Sequence, residues 1–490
     1  MDIVFVSAEL SPYSKVGGLG DVAGSLPRSL AARGHRVSVV TPNYPSTGGP
    51  HAAIGSTWVE LFGEYHEVSW LRGPTDDNLE IIFVDNPAFH RAGVYGDEHG
   101  GFGDNHLRYT MLVIGALEWA ATFAQRPVIQ VNDWHTALLP VYLRSWFQPR
   151  GVLLNAPVVL GLHNMQHQGQ ASPDTFGGLN LGSAWWPMTE FDGALNPLKA
   201  GIVTADALVT VSPNYRNEIL RDQGFGLEGV LRSRTDRLSG ILNGIDIDDW
   251  NPARDEHLPA RFSVDKLAGK AVCKAELQAE LGLPVRPEVP MLGLVSRLVY
   301  QKGIDLVEAI APWLLSQDVQ LVMLGSGQDR LERFFREVEY RWPRKARGWV
   351  GFSERMAHRI EAGSDIYLMP SRFEPCGLNQ MYSMRYGTIP VVHRTGGLTD
   401  TVITMDPAHD DGTGWAFAPL TPEAFIQALR FALDTFTNHP LAWRKLQRNG
   451  MLTDFSWDKA AEDYENVYDR VLAWTSPKPL PPQLADPDAA

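Results

Sequence analysis

Short runs rich in β-branched residues recur along this chain, and stretches with helical spacing separate them. IVFVS, RVSVV, IIFVD, VIQVN, PVVLGLH and ALVTVS fall in the first half, and MLGLVS, VQLVMLG, DIYLMPS and IPVVH in the second. Continuous apolar runs of this length are strands buried on both faces, and helices are the connections that parallel strands require. The pattern predicts α/β architecture with doubly wound parallel sheets. One core rarely serves 490 residues, so two such domains in tandem are expected.

The first strand series ends near ILNGIDIDDWNP, residues 241–252, which reads as a crossover, and a fresh series begins at MLGLVSRL. The reading places a first Rossmann-like domain at 1–245 and a second at 246–457. A final helix follows at 458–475, and the proline-rich 476–490 is expected to be unstructured. Within the second series, GIDLVEAIAPWLL sets Ile304, Val307, Ile310 and Ala311 along one stripe. TPEAFIQALRFALDTF does the same with Phe425, Ala428 and Leu429. Pro27, inside the first helical pattern, predicts a kink or a restart. In such folds ligands bind at the carboxyl ends of the strands, so two crevices facing one cleft are expected.

Composition narrows the function. With 44% hydrophobic and 20% charged residues the chain is a folded protein, and a net charge of −14 argues against a general nucleic-acid or membrane-surface binder. An anionic ligand must therefore meet a local cluster of positive charge. Two cysteines, Cys273 and Cys376, make no disulfide framework and fit a reducing compartment. Neither a basic leader nor a long apolar segment is legible, so a cytoplasmic location without membrane spans is expected.

The motifs sit at strand ends. KVGGLGD places Lys15, Gly17, Gly18 and Asp21 between the first strand and its helix, and RTGGLTD repeats the pattern with Thr395, Gly396, Gly397, Leu398 and Asp400. A glycine pair there lets backbone N–H groups approach an anion at a helix N-terminus, although one copy alone is equally well a tight turn. SRLVYQKG puts Arg297 and Lys302 after a strand, where they can neutralise a diphosphate or simply be solvated. SRFEPCG sets Glu374 at a strand end, suited to sugar hydroxyls, to developing positive charge, or to capping a helix. VNDWHT, GLHNMQHQG and LNGID contribute Asp133, His163 and Asn164, and Asn243 with Asp246, each weak alone. His163 and His167 have the spacing of a metal pair but lack the HExxH glutamate, so no metal is expected there.

KVGGLGDV, NDWHT, HNMQHQG, LNGID, SRLVYQKG, SRFEPCGLNQMY and RTGGLTDTV occur together and in order. By them the chain resembles the bacterial glycogen synthases and plant starch synthases over nearly its whole length. The resemblance implies a GT-B-type, retaining glucosyltransferase that extends α-1,4-glucan from a nucleotide-activated glucose, with no metal and no cofactor. It implies that the final helix packs back on the first domain, and it favours ADP-glucose over UDP-glucose as donor. Carried over by residue, Lys15, Gly17 and Gly18 contact the sugar nucleotide, Arg297 and Lys302 hold the diphosphate, and Thr395–Leu398 adds backbone donors. Asp21, Asp133, His163, Asn243 and Glu374 line the glucose and acceptor end, with Tyr95 near the acceptor.

Val16 stands where many members have threonine, Phe352 where a tyrosine is common, and GDEHGGFGDNH disturbs the alignment around Tyr95. Related enzymes often carry a second glutamate eight residues after the first; Tyr382 stands there, as in the synthases, which puts the burden on Glu374. Same-face attack on the sugar is the favoured route to retention, with a covalent route through Glu374 or Asp133 the minority reading. A silent glucan-binding scaffold, a sucrose- or trehalose-forming transferase and a phosphorylase are the alternatives.

Overall fold

A computed structural model describes residues 1–49, 51–409 and 411–475; the stretch 476–490, expected to be unstructured, lies outside them. The chain divides into two compact units. One comprises Met1–Val209, Gly224–Ser239 and the chain from Ala461; the other comprises Thr210–Gln223 and Gly240–Ala460.

The first unit is built on nine strands: β1 Asp2–Val6, β2 Arg36–Pro42, β3 Ala52–Leu61, β4 Glu64–Asp76, β5 Leu79–Asp85, β6 Val128–Asn132, β7 Val158–Leu162, β8 Ala207–Thr210 and β9 Leu238–Gly240. Their order is β9-β8-β7-β6-β1-β2-β5-β4-β3. β1 lies between β2 and β6, parallel to both, and Ile3, Val4, Phe5 and Val6 are fully buried, as its unbroken apolar run predicts. The β3–β4 hairpin, antiparallel and joined to the sheet through β5, is absent from the sequence reading. Much of it is exposed, so it lacks the apolar run that marks the other strands. Its two-residue turn, Phe62–Gly63, takes positive φ at both positions (53° and 77°), a geometry usually signalled by Asn-Gly.

Helix α1, Gly18–Ala32, runs continuously through Pro27, so the chain does not restart there, and Pro27 lies in the helix interior and not in a first turn. Pro27 removes one backbone bond, and the buried stripe of Val22, Ala23, Leu26, Pro27 and Leu30 holds the helix in place around it. The final helix, Trp457–Trp474, joins the first unit from Ala461 onward. Glu465 receives Arg33 Nη2 at 2.8 Å and lies 2.6 Å from His35 Nε2, while the buried Tyr468 hydroxyl lies 3.2 Å from Gln130 Oε1.

The second unit holds six parallel strands: β10 Met291–Val295, β11 Gln320–Gly325, β12 Ala346–Val350, β13 Ile366–Met369, β14 Ile389–His393 and β15 Trp415–Phe417. They run in the order β12-β11-β10-β13-β14-β15. Helices α2 Pro213–Ile219, α3 Ile304–Ser316, α4 Glu354–Gly363 and α5 Gly396–Thr401 belong to this unit. Ile304, Val307, Ile310, Ala311, Phe425, Ala428 and Leu429, the stripes read from the sequence, all enter its main core. The sequence reading put residues 210–223 in the first domain and the boundary at 245. The structure groups 210–223 with the second unit because α2 is bonded to α5: Asp400 Oδ2 accepts from Asn214 N at 2.9 Å, and Glu218 Oε1 accepts from Gly396 N at 2.9 Å. Among the described residues no helix is long and apolar enough to cross a membrane.

Candidate active site

In the first unit, β1 leads into a turn whose centre is Glu9, 3% exposed. Glu9 Oε2 accepts the N–H groups of Val16 and Gly17 at 2.7 and 2.9 Å, and the Tyr95 hydroxyl donates to Oε1 at 2.5 Å. Burial raises the carboxyl's pKa, and these three hydrogen bonds work against that rise. The Gly17 N–H, expected to help cradle an anion, is thus occupied, in this structure, by the protein's own carboxylate. Lys15 Nζ lies 2.6 Å from Asp21 Oδ1, so two residues expected to meet substrate here meet each other. Tyr95 also stacks on His135, ring centroids 4.6 Å apart.

Asp133 begins the short helix Asp133–Thr136 directly after β6 with φ at +56°, a left-handed conformation that costs a non-glycine residue about 1–2 kcal/mol. The conformation turns its carboxylate under the end of β7, where Oδ1 accepts the His163 N–H at 2.7 Å and the Asn164 N–H also donates to the carboxylate. Burial still pushes the carboxyl up to about 7. His163 is buried too, and burial lowers its imidazole to about 4, so the ring is neutral at pH 7. Asn132 donates Nδ2–H to Val6 O at 2.9 Å and so presents Oδ1 to His163 Nε2, also at 2.9 Å. That arrangement puts the imidazole's proton on Nε2. Gly161 makes room: a Cβ there would lie 2.7 Å from Asn132 Oδ1 and 2.9 Å from His163 Nε2.

In the second unit, the loop after β10 turns at Gly303, φ +67°, where a Cβ would lie 1.9 Å from Pro370 O. This close approach sets Lys302 against the loop after β13. Lys302 Nζ lies 2.6 Å from Glu374 Oε2, and Ser371 Oγ donates to the same oxygen at 3.0 Å. The glycine pair of the second motif packs on that loop: a Cβ on Gly396, φ +42°, would lie 1.9 Å from Glu374 O, and one on Gly397 2.2 Å from Cys376 O. The N–H of Gly397 donates to Glu374 O and Pro375 O, both at 3.1 Å, and the N–H of Leu398 donates to Thr395 O at 3.0 Å. Glu218, which takes the Gly396 N–H, also accepts Asn214 Nδ2–H at 2.8 Å, and the Thr395 hydroxyl lies 3.4 Å away. Both glycine turns therefore close on an internal carboxylate, Glu9 in one unit and Glu218 in the other. Each of these carboxyls has its pKa raised, with burial the first cause.

Arg297 is exposed, just beyond the carboxyl end of β10. Asn243 is buried, and its Oδ1 has no hydrogen-bond partner. Asp246 is exposed and spends its Oδ1 on the Asp248 and Asp249 N–H groups at 2.9 and 3.1 Å, so it builds the turn after Asn243. Burial pushes the Cys376 thiol up to about 12, which removes it as a nucleophile at neutral pH. Phe352 is 90% exposed. The sequence reading missed Glu9 and Glu218. Glu9 lies just beyond β1, eight residues before Gly17, whereas Glu218 is 178 residues from Gly396 and carries no local signal.

Two doubly wound units, with charged side chains gathered where their parallel strands end, define an α/β glycosyltransferase of the kind built from two Rossmann-like domains. Family models sharpen the class: Starch synthase catalytic domain matches residues 2–233, and Glycosyl transferases group 1 matches residues 281–448. The chain is 48% identical to starch synthase 1 of Triticum aestivum, over 95% of this chain and 77% of that protein. It is 47% identical to a glycogen synthase of Anaeromyxobacter sp., over 96% of this chain and 100% of that one. The solved catalytic domain of Starch Synthase IV from Arabidopsis thaliana, bound to ADP and acarbose, superposes with a TM-score of 0.88 at 31% identity, covering 96% of this chain and 99% of that one. The chain belongs to the family of starch synthases and bacterial glycogen synthases.

Proposed function

We propose that the protein transfers glucose from ADP-glucose to the non-reducing end of an α-1,4-glucan, with retention of configuration. The observation that carries this reading is the 47% identity to a bacterial glycogen synthase over essentially both full lengths, with the Lys302–Glu374 pair at the strand ends. The relative solved with ADP bound supports an adenosine diphosphate leaving group here.

In this reading Lys302 and Arg297 take the charge that develops on the departing diphosphate, without a metal ion and without a cofactor. Donors of this kind are worth roughly two to three orders of magnitude in turnover each. Thr395, Gly396, Gly397 and Leu398 form the turn beside it, and Glu374 balances positive charge at the reacting carbon. The bond from the anomeric carbon to the diphosphate oxygen breaks, the bond to the acceptor hydroxyl forms on the same face, and the acceptor's proton passes to the diphosphate. Lys15, Gly17, Gly18 and Asp21 contact the sugar nucleotide. Asp133, His163, Asn243 and Tyr95 position sugar hydroxyls. His163, neutral with Nε2 committed to Asn132, offers Nδ1 as an acceptor and the backbone N–H as a brace for Asp133. In this reading the reaction runs in the cytoplasm, a compartment in which Cys273 and Cys376, both free and buried, would stay reduced.

Initial rates with glycogen and either ADP-glucose or UDP-glucose, with and without EDTA, test the reading. Faster transfer from ADP-glucose, undiminished by the chelator at 25 °C, is expected. Preference for UDP-glucose, activity that requires added metal, or glucose delivered only to a small sugar or to phosphate overturns it.

A further inference from the structure

A second cluster lies in the second unit, outside the groups assigned to glucosyl transfer. The ligand-type atoms of Asp249, Glu354 and His358 fall within 4.8 Å of one another, the one such group among the described residues. Asp249 and Glu354 are exposed, while His358 is fully buried. Its ring is fixed on several sides. Trp250 stacks on it at 3.9 Å between centroids, and Nδ1 lies 2.8 Å from Asp255 Oδ2. Asp255 is itself held by the Tyr386 hydroxyl at 2.5 Å and the His257 N–H at 2.8 Å.

With Nδ1 committed to Asp255, the other nitrogen, Nε2, is buried and has no hydrogen-bond partner among the described residues. A buried, unpartnered imidazole nitrogen is uncommon. Here it belongs to the residue that the cluster shares with two carboxylates. A carboxylate that fixes one nitrogen of a histidine and leaves the other with a lone pair is the arrangement by which proteins prepare a histidine for a metal.

We propose that Asp249, Glu354 and His358 bind one divalent transition-metal ion of the zinc or manganese class, tying the turn that follows Asp246 to α4. Glu354 and His358 stand four residues apart on α4 and so share one face, while Asp249 reaches them from the turn. One imidazole nitrogen with two carboxylate oxygens suits zinc or manganese better than magnesium or calcium, which favour all-oxygen sets. Glu354 lies in the first turn of α4, where the helix dipole disfavours a cation, but two full negative charges outweigh that partial positive one. The site serves structure and takes no part in glucosyl transfer.

The test uses the full chain stripped with EDTA, titrated calorimetrically with Zn²⁺ and followed by thermal unfolding. The informative variant is Asp249→Asn with Glu354→Gln, since both residues are exposed and neither change leaves a buried charge unpaired. His358→Ala is less useful, because it strips the buried Asp255 of its partner. The wild type is expected to take up one Zn²⁺ per chain and to melt at higher temperature with it. The double variant should bind at least about tenfold more weakly and lose most of the shift. No uptake by the wild type, or equal affinity in the variant, overturns the proposal. Glucosyl transfer at 25 °C is expected to be the same with and without Zn²⁺, so failure of this site and failure of the functional reading are read separately.

Discussion

Lys302 Nζ and Glu374 Oε2 lie 2.6 Å apart, in a pair whose carboxylate side chain is 8% exposed. A lysine assigned to the leaving group and a carboxylate assigned to the reacting sugar thus neutralise each other. Removing Lys302 leaves a buried carboxylate without its counter-charge, and removing Glu374 leaves a half-buried ammonium without its own. Lys302→Ala is expected to lower kcat by about two to three orders of magnitude, and Lys302→Arg to rescue poorly, because a planar fork does not replace a point charge. Glu374→Gln should lower kcat with little change in KM, and the double variant should lose far less than the product of the two single losses. Kinetics on the four variants and the wild type check this; fully additive losses would show that the two residues act separately. Glucose found on Glu374 by mass spectrometry would replace same-face attack with a covalent route.

The two glycine pairs differ in what a methyl group would meet. A Cβ on Gly17 has open space and an ordinary extended backbone, φ −148°, whereas one on Gly396 would lie 1.9 Å from Glu374 O at φ +42°. Gly17→Ala is expected to melt like the wild type, so any loss of activity in it reports a ligand contact. Gly396→Ala should destabilise the fold by about 2 kcal/mol or more. Thermal unfolding of both variants measures the contrast, and equal melting would contradict it.

Glu218 places a carboxylate on the Gly396 N–H, at the turn assigned to phosphate. A diphosphate approaching that turn meets a like charge, worth about 1 kcal/mol near a surface. Glu218→Gln keeps an acceptor for the N–H while removing the charge, and should tighten ADP binding roughly fivefold. Calorimetry with ADP decides it: unchanged affinity would mean that the diphosphate does not reach this turn.

Asp133 carries a pH signature. Its carboxyl titrates at about 7 when folded, against 3.8 for an ordinary aspartate, and burial is the main cause. Between these values the folded state holds more protons than the unfolded one, so this group lowers stability as pH rises from about 4 to about 7. Asp133→Asn, whose amide oxygen can still accept the His163 N–H, should flatten that slope and gain on the wild type most at pH 8. Denaturant melts from pH 5 to pH 8 test this, and an unchanged slope would show that Asp133 is not the group responsible.

Much of the fold was legible because it is local. Each strand named from an apolar run is present, and so are the stripes on α3 and on the helix Pro422–Asn438, since the period of burial is written directly into the order of residues. The β3–β4 hairpin escaped because it is largely exposed and its turn lacks Asn-Gly. Pro27 offered a restart that the chain does not make, because tertiary packing holds α1 together where a free helix would break.

The same division runs through the site. By itself the sequence determined which residue types stand at the strand ends, and it showed that Gly-Gly-Leu-x-Asp occurs twice. Only the tertiary structure decided what each copy does. Asp21 pairs with Lys15, six residues away, whereas Asp400 accepts the N–H of Asn214, 186 residues away. The Gly17 N–H meets Glu9 across eight residues, and the Gly396 N–H meets Glu218 across 178. A motif sets the direction of its N–H groups through local backbone geometry. Which carboxylate fills them depends on the segment that packs against the turn, the residues just after β1 in one unit and α2 in the other, and that follows from burying apolar surface along the whole chain.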